Sequence, residues 1–91
     1  MKDLQKIRQE IDRIDEELAA LFAARMRASA EAAAYKTTQG LPLFDEDREA
    51  VVLSHWTVDL PADLRPYGEA WARQLLELSK QYQRHLTDPT A

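Results

Sequence analysis

Two cations of the first predicted helix, Arg25 and Lys36, fall where a helical pattern calls for apolar residues. Apolar side chains repeat every three or four positions along one predicted helical face, at Leu4, Ile7, Ile11, Ile14, Leu18, Leu21 and Phe22. At about 100° per residue, the same stripe continues through Arg25, Ser29, Ala32 and Lys36. A buried cation is costly unless an anion meets it, so the stripe predicts an anion-binding site. Arg8 lies just off the other end of the stripe. The alternative is that the side chains of Arg25 and Lys36 extend along apolar surface with their charges in water.

Polar residues of two later predicted helices could contribute to the same chemistry. Asp45, Arg48 and Glu49 lie near the predicted start of the second helix. They could simply cap the helix and pair on its surface, or they could form a polar cluster that favours an anionic or hydroxylated ligand. Ser79 and Gln83 share one face of the third helix, which alone is typical of a solvated patch. No nucleophile–base pair is evident, so an enzyme of this sequence is expected to work by positioning and electrostatics.

Composition limits the class of protein. The chain has 91 residues, which we place in one small domain over residues 1–91. It has no cysteine, and its two histidines are far apart, so we expect no disulfide and no metal site. A formal net charge of −4 argues against general nucleic-acid binding, because binding phosphates needs a basic surface. No apolar run has membrane-spanning length and the start lacks a signal-peptide pattern, so we expect a cytoplasmic protein.

Capping residues and prolines divide the chain into three predicted helices, and the expected class is all-α. Asp3 and Asp45 are plausible N-caps, while Gly40 and Pro42 end the first helix. Proline is favoured in the first turn of a helix, which leaves two possible starts for the third. The predicted helices cover Asp3 to Thr38, Asp45 to about His55 or Thr57, and Pro61 or Pro66 to about His85, with a frayed tail over residues 87–91.

The first predicted helix is too long for a compact monomer. At 1.5 Å per residue it extends roughly 54 Å, whereas a compact domain of this size is only about 30 Å across. No proline or glycine interrupts the helix before Gly40, so a sharp kink has no cause. The length therefore predicts an oligomer, most simply a dimer with the long helices side by side.

The order and spacing of these residues resemble the all-helical class of chorismate mutases. The matching positions are Ile7, Arg8, Ile11, Asp12, Ile14, Asp15, Leu18, Arg25, Tyr35, Lys36, Gly40-Leu41-Pro42, Asp45, Arg48, Glu49, Ser79, Tyr82 and Gln83. The resemblance covers about residues 4–86. It implies an intertwined homodimer of three-helix chains. It also implies conversion of chorismate to prephenate by a Claisen-type rearrangement in aromatic amino-acid biosynthesis, with no cofactor or metal.

The resemblance also implies roles for particular side chains. Lys36 and Gln83 would donate hydrogen bonds to the ether oxygen of the substrate, and Arg25 would hold one of its carboxylates. Arg8 would cross the dimer interface to bind the other carboxylate. The implied catalytic residues are Lys36, Gln83 and Arg25, and the implied substrate-binding residues are Arg8, Arg25, Asp45, Arg48, Glu49 and Ser79. Within that second set, Glu49 would hold the substrate hydroxyl with Lys36 close by.

Two other functions are compatible with this pattern. An isochorismate pyruvate-lyase shares the fold and much of the site, although the Gly40-Leu41-Pro42 turn and the residues after it look more like the mutase. A catalytically silent helical dimer that binds a metabolite or a partner protein would have less need of Gln83 opposite Lys36. The sequence departs from the resemblance at Ala32, where a larger branched apolar residue is expected.

Overall fold

The chain folds into three α-helices and the short segments that join them. The computed structural model describes residues 3–88. The helices are α1 (Leu4–Gln39), α2 (Glu46–Val58) and α3 (Arg65–Thr87), and residues 3–88 contain no strand. The prediction of an all-α chain with a long first helix is confirmed.

Both ends of α1 are capped as the sequence predicts. The side chain of Asp3 accepts a hydrogen bond from the backbone N–H of Lys6 at 2.9 Å. At the other end Gly40 adopts the left-handed conformation with φ 66°, which glycine reaches without steric cost. The backbone N–H of Leu41 then donates to the carbonyl of Lys36 at 2.8 Å, which completes the cap. This turn reverses the chain directly beside Lys36.

The second and third helices differ from their predicted limits. Asp45 caps α2 as predicted, accepting from the N–H of Arg48 at 3.1 Å, but the helix continues to Val58. Of the two proposed starts for α3, Pro66 is right and Pro61 is wrong. The carbonyl of Pro61 instead accepts from the N–H of Leu64 in a separate turn. Proline is tolerated in the first turn because a backbone N–H there has no partner within the helix.

The third helix also continues beyond its predicted end near His85. It runs through Thr87, whose hydroxyl donates to the carbonyl of Gln83 at 3.0 Å. The backbone N–H of Asp88 donates to the carbonyl of Arg84 at 2.8 Å. The first residue of the predicted tail, Thr87, is therefore helical, and residues 89–91 lie outside the described part of the chain.

Helix α3 packs against both other helices and carries most of the small core. Three of its residues are buried, namely Ala72, Leu75 and Ser79, and Ala33 of α1 is buried with them. Helix α2 runs antiparallel to α3, since Glu49 meets Lys80 and the later Trp56 meets the earlier Trp71. The two indole rings are in edge-to-face contact with centroids 5.0 Å apart. These contacts fix the relative placement of the two helices.

The fold is elongated because the first half of α1 extends away from the other helices. The chain measures 56 × 26 × 19 Å, and its radius of gyration is 16.5 Å, against about 12 Å for a compact chain of this length. Apolar residues along the extended half are exposed, with exposed fractions between 38% at Ile7 and 66% at Leu21. The predicted mismatch between helix length and a compact monomer is confirmed. The dimer inferred from that mismatch stays a prediction.

Candidate active site

A cavity of about 280 Å³, lined by charged, polar and apolar side chains, lies among the three helices and the segment that follows α1. Its lining includes seven of the eight predicted site residues: Arg25, Lys36, Asp45, Arg48, Glu49, Ser79 and Gln83. Small side chains at Ala28, Ser29 and Ala32 form the wall contributed by α1. The helical period places Arg25 and Lys36 on that wall, three turns apart, as the stripe predicts. The structure thus brings together residues that are up to 58 positions apart in the chain.

Arg8 is the one predicted site residue outside this cavity. It lies on the exposed first half of α1, 17 residues before Arg25, which corresponds to about 25 Å along the helix. An arginine side chain cannot span that distance. Arg8 therefore cannot reach the cavity of its own chain.

Arg25 is held at the cavity wall by a hydrogen bond to Ser79. The Nη1 atom of Arg25 donates to the Oγ atom of Ser79 at 2.8 Å, and Ser79 is only 4% exposed. Burial lowers the pKa of Arg25, and the nearby positive charge of Arg48 lowers it further. Arginine nevertheless keeps its charge at physiological pH. Within residues 3–88, neither guanidinium forms an ion pair with a carboxylate, so the two charges are available to an anion.

Lys36 is positioned by the segment that follows the Gly40 turn. Its Nζ atom donates to the backbone carbonyl of Leu43 at 3.0 Å, which holds the ammonium group at the cavity wall. A lysine ammonium carries three donors, so this hydrogen bond leaves two others free. Both Arg25 and Lys36 are partly buried and line one cavity, which favours the anion-site interpretation over the surface one.

Gln83 has an amide oxygen that is buried and accepts no hydrogen bond from residues 3–88. An unpaired buried acceptor costs on the order of 1–3 kcal/mol, and most such atoms in proteins have a partner. The amide lines the cavity on the same wall as Ser79. A half-turn of the amide exchanges its oxygen for its NH₂ group, so the same position can present either an acceptor or a donor. An amide that can present either an acceptor or a donor suits a site for a polar ligand.

Asp45 and Glu49 bring two carboxylates to the cavity, each with a partner. Asp45 caps α2 through the N–H of Arg48, so its structural role is evident alongside its place in the lining. Glu49 accepts from the Nζ atom of Lys80 at 2.8 Å. The sequence analysis expected Lys36 near Glu49, whereas the ion pair that Glu49 forms within the described chain is with Lys80.

Sequence reasoning missed Lys80 and the apolar part of the lining. Lys80 follows Ser79 directly and lies three residues before Gln83, a helical spacing that could have placed it on the same face. Phe44 also lines the cavity, and the guanidinium of Arg84 stacks on its ring at 5.3 Å from the centroid. The remaining apolar lining residues are Leu43, Val52 and Leu76.

The arrangement can bind and orient a small anionic molecule. Cations and a buried amide surround a cavity that also contains two carboxylates. Within residues 3–88, no group of three histidine, aspartate, glutamate or cysteine side chains is arranged to hold a metal ion. The described helices are also too short or too polar to cross a membrane.

The fold and the cavity together define an all-helical protein whose helices enclose a cavity lined by cations and carboxylates. A family model for chorismate mutase type II matches residues 7–84, whereas no curated protein and no solved structure matches the chain. The match covers most of the sequence. The chain therefore belongs to the chorismate mutase type II family, whose members are isomerases that convert chorismate to prephenate. The resemblance found in the sequence is confirmed.

Proposed function

We propose that the cavity among α1, α2 and α3 is the active site for this reaction, in a homodimer whose partner chain supplies Arg8. The observation that supports the proposal is the convergence of seven of the eight residues implied by the resemblance on one cavity. These residues come from all three helices, so their convergence does not follow from closeness in sequence.

The proposed catalysis acts on the ether oxygen of chorismate. In the rearrangement a C–O bond breaks while a C–C bond forms, and negative charge builds on that oxygen. Lys36 and Gln83 donate hydrogen bonds to it, the glutamine through its NH₂ group. Since the charge is larger in the transition state than in the ground state, these donors lower the barrier. The hydrogen bond from Lys36 to Leu43 supports this role, because it fixes the ammonium before substrate arrives.

Substrate binding is proposed to hold chorismate in its compact reactive shape. Arg25 binds one carboxylate, with Ser79 fixing the guanidinium, and Arg48 contributes a second positive charge. Glu49 accepts a hydrogen bond from the substrate hydroxyl, and Asp45 completes the polar lining. Fixing both ends of a flexible substrate removes orientational freedom before the reaction and so increases the rate.

The dimer is proposed because α1 leaves both a ridge and a groove without partners in its own chain. The exposed ridge is the apolar face of the first half of α1. The groove, of about 300 Å³, is lined mainly by Leu18, Leu21, Phe22, Trp56, Trp71 and Leu75. A second copy whose α1 lies along this groove would bury both surfaces. It would also bring the partner chain's α1 towards the cavity, which Arg8 cannot reach from its own chain.

We place the enzyme in the cytoplasm, on the route to the aromatic amino acids. The family assignment implies chorismate as the substrate, and the absence of cysteine is compatible with a reducing compartment. Fractionation of cells that produce the protein, with detection by antibody, tests this location.

An assay with purified protein and chorismate tests the function. Loss of chorismate absorbance together with formation of prephenate supports the mutase. Release of pyruvate from isochorismate, with no prephenate from chorismate, would instead indicate the lyase. A folded protein that turns over neither compound would indicate a silent binding module.

A further inference from the structure

Lys80 forms an ion pair that differs from the other pairs within residues 3–88. Its Nζ atom lies 2.8 Å from the Oε1 atom of Glu49, and the two side chains are 28% and 26% exposed. The pair joins α3 to α2, and both residues line the cavity. The pairs Arg13–Glu17 and Arg73–Glu69 instead span one turn of a single helix on the surface. Surface pairs of that kind contribute little, whereas a partly buried pair between two helices fixes the position of a side chain.

The pair leaves half of the Glu49 carboxylate available. Lys80 contacts Oε1, and a carboxylate has a second oxygen with its own acceptor sites. The hydrogen bond to Glu49 raises the pKa of Lys80, so the ammonium stays charged throughout the neutral range. Glu49 is therefore held in place by a permanent cation and can still accept one hydrogen bond from a ligand hydroxyl.

Without Lys80, Glu49 would face other cations in the same cavity. Lys36, Arg25 and Arg48 all line it, and each is required elsewhere by the proposed mechanism. A free carboxylate there would attract Lys36 away from Leu43, or would repel the carboxylates of the incoming substrate. Pairing Glu49 with Lys80, a cation on α3, avoids both effects.

We propose that Lys80 is a positioning residue for the rearrangement, holding Glu49 so that its free oxygen meets the substrate hydroxyl while Lys36 remains available to the ether oxygen. This inference rests on the contact proposed above between Glu49 and the substrate. It assigns Lys80 no contact with the reacting atoms, and its effect passes through Glu49.

The test is a double-mutant cycle with Lys80→Met and Glu49→Gln, measured as kcat and KM for chorismate. Methionine keeps an unbranched side chain only one atom shorter and suits a helix, but it removes the charge. We expect Lys80→Met to lower kcat/KM by about ten-fold to a hundred-fold, as when a group that orients a functional residue is removed. In a protein that already carries Glu49→Gln, Lys80→Met should change kcat/KM by less than two-fold. Lys80→Arg, which restores a cation, should recover most of the loss.

The matched control is Arg73→Met. It removes the cation of another 2.8 Å ion pair on the same helix, outside the cavity, and should change kcat/KM by less than two-fold. Circular dichroism checks the folding of each variant, and Lys80→Gln provides a second neutral variant if Lys80→Met is unstable. Wild-type kinetics in a folded neutral Lys80 variant would overturn the inference. Additive losses from Lys80 and Glu49 would also overturn it, because they would indicate that Lys80 acts on the substrate directly.

Two results separate this inference from the broader proposal. Loss of activity in Glu49→Gln with no loss in Lys80→Met would reject the role of Lys80 and leave the active site standing. Wild-type activity in Glu49→Ala, which removes both carboxylate oxygens, would reject the role of Glu49, and with it any positioning through that residue.

Discussion

The guanidinium of Arg25 on α1 donates a 2.8 Å hydrogen bond to the hydroxyl of Ser79, 54 residues later on α3. Ser79 is the buried polar residue within residues 3–88, and its hydroxyl accepts this hydrogen bond from a partly buried cation. Both residues line the cavity. Arg25 therefore links α1 to α3, and by the proposed function the same side chain binds the substrate.

Removal of this charge tests the site directly. We expect Arg25→Ala to lower kcat/KM for chorismate by about 10²–10³-fold, the range found when one donor of an electrostatic site is lost. Arg27→Ala is the matched control, since Arg27 is an exposed arginine on the same helix and lies outside the cavity. Both variants should keep helical circular dichroism, because alanine favours a helix. Turnover near the wild-type rate in Arg25→Ala would refute the carboxylate-binding role.

Lys36→Ala should lower kcat/KM for chorismate by a comparable factor, but for a different reason. It removes a donor proposed to act mainly in the transition state, so the decrease should lie chiefly in kcat rather than in KM. The measurement is a steady-state titration with chorismate at fixed pH, with Lys6→Ala as an exposed lysine control. A rise in KM with unchanged kcat would mean that Lys36 binds substrate without assisting the bond that breaks.

The dimer can be tested in solution without any assay of activity. Sedimentation equilibrium at micromolar concentration should give twice the chain mass of 10.5 kDa. Leu18→Glu places a charge in the apolar groove, and it should shift the protein towards monomer because burying an unpaired charge is costly. A folded, fully active monomer would contradict both the dimer and the contribution of Arg8.

Mixed dimers test whether Arg8 serves the partner chain's cavity. Arg8→Ala and Lys36→Ala should each be nearly inactive alone. After joint unfolding and refolding at equal amounts, about half of the dimers should be mixed and about a quarter of all cavities intact, by random symmetric pairing. Activity should therefore recover towards about a quarter of the wild-type activity. No recovery above the separate mutants would show that Arg8 has no role in the partner chain's cavity.

Gln83→Glu tests the donor opposite Lys36 through its pH dependence. An amide donates at any pH, whereas a carboxylate donates only when it is protonated. The kcat/KM of the variant should be low at pH 8 and rise as the pH falls towards the ordinary glutamate pKa of about 4.3. The measurement is kcat/KM between about pH 4.5 and 8.5, with Gln74→Glu on the exposed side of α3 as control. A profile parallel to that of wild type would mean that Gln83 does not face the ether oxygen.

Local rules within the sequence determined the helices and one wall of the cavity. The helical period alone places Arg25, Ser29 and Lys36 on one face of α1, and caps at Asp3, Gly40 and Asp45 depend on neighbouring backbone groups. The start of α3 remained open because Pro61 and Pro66 both satisfy the local preference for proline in a first turn. The structure decides for Arg65–Thr87, with a separate turn at residues 61–64.

Only the tertiary structure decided which side chains meet across helices. The pairing of Glu49 with Lys80, the burial of Ser79 against Arg25 and the unpaired amide oxygen of Gln83 depend on how α3 lies against α1 and α2. No local spacing encodes these contacts, because the distance between two helices and their relative rotation are set by packing of the whole core. The sequence alone could therefore nominate seven residues of the cavity, but it could not identify the partner that holds Glu49.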